Sequence, residues 1–145
     1  MSKPWLPPSL SRPAANSPPL GPMLAGARAR GVADGLEWLG LAAILIDDRG
    51  ETLHVNASAI ELMGDSLYLE SGRLRAVDVL ADSALTGAIH AVLERGVAAA
   101  ARIPQREGEL HVHVAAMRAR DDDPYQLLRA VALLRRFGPD RAAQH

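Results

Sequence analysis

Residues 41–64, LAAILIDDRGETLHVNASAIELMG, place an apolar run, a charged turn, a half-apolar run and a helix-forming stretch within two dozen residues. The run 41–46 is apolar at successive positions, which predicts a strand buried on both faces. Asp47-Asp48-Arg49-Gly50 carries turn chemistry, with Gly50 placed where a positive φ is needed. In residues 51–55 the alternation directs Leu53 and Val55 to one face and Thr52, His54 and Asn56 to the other, as in a hairpin arm with one apolar side. Asn56 then has the short amide of an N-cap, and 57–63 are good helix formers that end at Gly64. This assignment dissolves an apparent acid–base cluster. Asp47 and Asp48 shape a turn, Asn56 starts a helix, and only His54 is left to face a pocket or a partner. The match of Asn56-Ala57-Ser58 to a glycosylation sequon is accidental on this reading, because no secretory signal precedes it.

Downstream, residues 65–78 alternate in part around Ser71-Gly72 and predict a small two-armed element. Residues 80–93 carry Leu85, Ile89, Val92 and Leu93 with Ala81, Ala84 and Ala88 at three- and four-residue spacing, a helix that Gly96 can stop. Strand character follows at 98–103, at 109–117 and from 127 or 128 to 137, joined through Arg106-Glu107-Gly108 and through Asp121-Asp122-Asp123-Pro124. The order is β-β-α-(α)-β-β-β. It predicts an α+β domain: a five-stranded antiparallel sheet with helices inserted between strands two and three.

Upstream, the composition changes at Leu24, and Asp34 before GLEWLG predicts a short helix over 33–39 with Leu36 and Leu39 one turn apart. Seven of the ten prolines lie in the first 22 residues, so 1–23 reads as a disordered proline-rich tail. Its Pro4-to-Pro7 and Pro19-to-Pro22 spacings lack a well-placed basic flank for a polyproline ligand, and Trp5 within it is free to dock back. The domain is expected over 24–140, with 141–145 a C-terminal tail.

Composition removes several function classes. Sixteen basic residues against seventeen acidic give no nucleic-acid or anionic-membrane footprint. The chain has no cysteine, which excludes disulfides, thiolate metal sites, iron–sulfur clusters and cysteinyl adducts. The longest apolar runs fall far short of the ~20 residues that span a bilayer, and the N-terminus has no basic segment leading into an apolar signal core. The expectation is a soluble, cytoplasmic protein.

The element order, and within it ILIDDRGETLHVNASAIELM, LYLESGRLRAVD, ADSALTGAIHAVLERG and LLRAVALLRRFGPD, resembles the PAS-like sensory region found upstream of the helix-turn-helix in LuxR-type bacterial transcriptional regulators. The resemblance covers residues 34–140 and rests on fold-forming positions. It implies a sensor or dimerisation module whose partner is a second copy or another signalling protein, with room for a small-molecule ligand. Such a regulator would continue past Gly138-Pro139-Asp140 into a DNA-binding domain. Here RAAQH follows, so direct nucleic-acid binding by this chain is not expected, and the chain reads as a fragment of a longer regulator or a stand-alone domain.

Among polar residues, His111-Val112-His113 is the sharpest feature, since alternation sets both imidazoles on one face of a strand. A metal site needs three or four ligands, so His54 or His90 would have to be brought close. His54, Met63, His90, His111 and His113 are therefore pocket candidates, with the cofactor unknown and no metal or catalytic residue assigned. Glu61, Asp65, Asp78 and Asp82 suit helix ends and turns. The run at 121–123 lacks the alternating ligands and glycine of a calcium loop, and neither a GxSxG elbow nor a P-loop lysine is present. The reading is non-enzymatic. A small metal-dependent enzyme using His111 and His113, and a protein-binding adaptor, are its competitors.

Overall fold

The structure is a computed structural model that describes residues 20–117 and 127–138, with side chains from residue 28 onward. In chain order the described elements are α1 (Leu20–Trp38), β1 (Ala42–Ile46), β2 (Thr52–Val55), α2 (Ala57–Met63), β3 (Leu67–Glu70), β4 (Arg73–Ala76), α3 (Val79–Arg95), β5 (Ala99–Gln105), β6 (Gly108–Ala116) and β7 (Ala130–Phe137). Five strands form one antiparallel sheet in the order β2-β1-β7-β6-β5, and β3 pairs with β4 in a separate hairpin. The α+β class and the five-stranded antiparallel sheet expected from the sequence are thus present. No described helix is long and apolar enough to cross a membrane. The expected turn at 121–124 and residues 1–19 of the expected tail lie outside the described residues.

Strand β1 is buried throughout because both of its faces are covered. Ala42, Ile44 and Ile46 join the main core with Leu85, Ile89 and Val92 of α3. Ala43 and Leu45 join a second core with Ala29 and Ala33 of α1. Burying a side chain such as Ile44 or Leu85, both 0% exposed, contributes about 1.5–3 kcal/mol each. Among the described residues, helix covers only one face of β6, so Leu110, Val112 and Val114 are buried while His113 and Ala115 are exposed.

Two local expectations need correction. The helix expected over 33–39 begins at Leu20, so Asp34 lies inside it and is not its cap. Pro22 is tolerated because the first turn has no intrahelical acceptor for its missing N–H. The sheet-facing side of this helix is built on Ala29 and Ala33, whose small side chains bring the helix close but give a weak apolar period.

The second correction concerns β2. Leu53 packs in the core under α1, whereas Val55 packs against the main core, so the two do not share a face. Its cause is a register shift. Leu45 pairs with His54 but Ile46 pairs with Thr52, leaving Leu53 as the extra residue of a bulge. His54 consequently lies opposite Leu45.

Asp82 lies in the first turn of α3, as a carboxylate suited to a helix end, and also ties that helix to the β3–β4 hairpin. Its carboxylate accepts from Arg75 Nε at 2.9 Å, Arg75 Nη2 at 2.7 Å and the Ala76 amide at 2.9 Å, and these bonds hold its pKa below the ordinary value. The N-cap of α3 is Asp78, which accepts from Ala81 N, and Gly96 closes the helix in the left-handed region.

Candidate functional site

Two polar anchors fix the junction of α1, β1 and α2. Asn56 is 3% exposed; its Oδ1 accepts from the amides of Ala43 and Ala59, both at 3.0 Å, and its Nδ2 donates to the Leu41 carbonyl at 2.8 Å. The side chain that caps α2 therefore also stitches α2 to the start of β1. Glu37, near the end of α1, accepts from Ser58 Oγ at 2.6 Å and from Ser58 N at 3.0 Å. The Ser58 hydroxyl, then the Ser58 amide, holds the Glu37 carboxyl below its ordinary 4.5.

The end of α1 is closed by backbone bonds from Gly40 N to Glu37 O (2.9 Å) and from Leu41 N to Leu36 O (2.9 Å), with Gly40 at φ +76°. This is the Schellman pattern, which needs a left-handed residue after the helix. Leu36 packs into the small core. Trp38 and Leu39 are left 91% and 73% exposed, and Leu41 40%.

Among the described residues, α1 covers the sheet over β1, β2 and part of β7, and none covers the outward residues of β5 and β6 or the far end of β7. Cross-strand register sets Arg102 beside His111, His111 beside Arg135, and Glu109 beside Phe137. His111 Nε2 lies 2.9 Å from Glu109 Oε1, and the imidazole packs on the Phe137 ring with centroids 4.2 Å apart. The Arg135 guanidinium stands 5.1 Å from the centre of that ring. The hydrogen bond to His111 holds the Glu109 carboxyl below its ordinary value, with Arg102 adding to the effect. At the border with α1, a cleft of about 600 Å³ is lined by Gly40, Leu41, His113, Leu133, Arg135 and Phe137, among others.

The sequence-based candidates are dispersed by this geometry. His111 and His113 share the open face, their rings 6.3 Å apart, as the alternation predicts. His54 is on β2, separated from β6 by β1 and β7. His90 is on α3, which packs on the opposite side of the sheet; it is 67% exposed and lies 3.1 Å from Glu94. Met63 is a core residue at 9% exposure. Among the described residues no group of three or more His, Asp or Glu is placed to hold a metal ion. Sequence reading missed Glu37, Gly40, Arg135 and Phe137. The alternation Arg135-Arg136-Phe137 in the last strand was the available signal for the last two, because it mirrors His111-Val112-His113.

This face thus sets aromatic and cationic groups side by side on β5, β6 and β7. No family model, curated protein or solved structure matches the chain.

Proposed function

We propose that the chain is a PAS-like sensory and dimerisation module of bacterial transcriptional signalling, non-enzymatic itself and acting in the cytoplasm, that pairs with a second copy through the end of α1 and the open half of the sheet. The observation that carries the pairing is Trp38. It stands 91% exposed on a helix end fixed by the Gly40 turn, and the residues that follow it form one wall of the cleft containing Leu133 and Phe137. The end of α1 thus carries a projecting aromatic beside a recess that has Leu133 and Phe137 in its lining. A two-fold contact seats each Trp38 in the other copy's cleft, and buried aromatic anchors of this kind dominate interface energetics.

The PAS-like reading draws support from the first hairpin, its Asn-capped helix, and the three C-terminal strands that return beside β1 with the helices between. The association with LuxR-type regulators rests on the stretches of sequence quoted above. In this reading a ligand or partner transmits a signal by favouring one arrangement of α1 on the sheet, since only differential affinity for two states shifts an equilibrium. Sedimentation velocity over a wide concentration range tests the pairing. Twice the chain mass is expected for the parent and a single chain mass for Trp38→Asp; a monomer throughout, or a dimer indifferent to the substitution, contradicts it.

A further inference from the structure

On the helical side of the sheet, away from Trp38, a cleft of about 790 Å³ opens between α3, the β1–β2 turn and β4. Its size is that of a small-molecule site. Four cationic or titratable basic side chains reach it: Arg49, Arg73, Arg75 and His90. The one acid in its lining, Asp82, is committed to Arg75, which also holds Glu70 at 2.7 Å. Among the described residues neither Arg49 nor Arg73 forms an ion pair, so the cleft has an uncompensated positive charge.

The apolar part of the cleft converges on the same point. Around the position a Cβ would take on Gly50 lie Arg73 Nη1 at 3.0 Å, Leu93 Cδ1 at 3.7 Å and Ile89 Cγ2 at 4.0 Å. A guanidinium and two aliphatic side chains therefore meet over a glycine turn. That turn is held by Asp47 Oδ1, which accepts from the Arg49 and Glu51 amides at 2.9 Å each. Thr86 and Ser83 add hydroxyls along the α3 wall.

We propose that this cleft binds a small amphipathic anion, its carboxylate or phosphate on Arg49 and Arg73 and its hydrocarbon portion along Ile89 and Leu93. Guanidinium groups bind either oxyanion through paired, charge-assisted hydrogen bonds, and the aliphatic wall selects ligands with an apolar tail. Because the cleft lies apart from the open sheet face, this assignment stands independently of self-association.

The test is amide chemical-shift titration of the full chain with sodium octanoate, octyl phosphate, octan-1-ol and inorganic phosphate, each kept below micelle formation. Saturable shifts centred on Arg49, Gly50, Arg73 and Thr86 are expected with octanoate or octyl phosphate, and whichever binds more tightly identifies the head group. Octan-1-ol and inorganic phosphate should each bind at least tenfold more weakly than that ligand. The Arg49→Gln/Arg73→Gln variant should keep the parent spectrum elsewhere and lose at least tenfold in affinity. The proposal is overturned by no saturable shift with either octyl anion, by shifts centred outside the cleft, by octan-1-ol or inorganic phosphate binding as tightly, or by unchanged affinity in a folded double variant.

Discussion

Asn56 shows how much one side chain can decide. Its amide completes an N-cap, accepts from the buried Ala43 amide of β1 and donates to the Leu41 carbonyl just before that strand, so its loss leaves the Ala43 amide without a partner. Cap removal costs about 1 kcal/mol and the stranded Ala43 amide about 1–3 kcal/mol, so Asn56→Ala should lower stability by roughly 2–4 kcal/mol. In urea unfolding the midpoint should fall with the slope unchanged. Glu37 gives a pH-dependent counterpart. Its pKa is lowered by folding, so its stabilisation is complete above the ordinary value of 4.5 and lost as pH falls through the lower folded-state value. Glu37→Gln should therefore be less stable than the parent at neutral pH, and the gap should close in acid; a gap constant with pH would show that the Ser58 contact carries no charge-dependent stability. At this scale the sequence was informative where the decisive chemistry is local. The Asn56 cap and the Gly50 turn, at φ +84°, were legible because each acts within four residues. The contacts of Asn56 with Leu41 and Ala43, and of Glu37 with Ser58, reach across the chain and were not.

Among the elements, legibility followed the size of the buried side chains. Helix α3 announced itself through Leu85, Ile89 and Val92. Most of α1 did not, because its contact side uses Ala29 and Ala33 and its glycines lower helix propensity. In β2 the alternation was real but the bulge at Leu53 redirected it, and a bulge is set by pairing with β1, not by the strand itself. The β5–β6 connection offers a direct check on element geometry. Gly108 has φ +100°, and a Cβ there would overlap the Phe137 carbonyl and lie 2.8 Å from Gly138 Cα. Left-handed strain and steric overlap each cost about 1–3 kcal/mol, so Gly108→Ala should destabilise by roughly 2–6 kcal/mol. Thermal unfolding measures this, and a variant as stable as the parent would mean that the turn does not pack on the end of β7.

For the whole molecule, the division of labour follows from which faces are covered. The helical side of the sheet is filled by α2, α3 and the β3–β4 hairpin, and the other side is half covered by α1. The half that no described residue covers carries Phe137, His111 and Arg135 and meets the exposed end of α1 at the cleft lined by Gly40, Leu41, Arg135 and Phe137. The pair His111 and His113 was legible as a shared face, but its partners came from β7 through a register that no local pattern specifies. In the proposed pairing, Trp38 of one copy occupies the Leu133–Phe137 cleft of another. Isotope-filtered NOE spectroscopy on an equimolar mixture of labelled and unlabelled chains addresses it directly. Intermolecular cross-peaks between the Trp38 indole and the Leu133 methyls and Phe137 ring are expected; cross-peaks that place Trp38 elsewhere, or none between copies, would rule out this pairing.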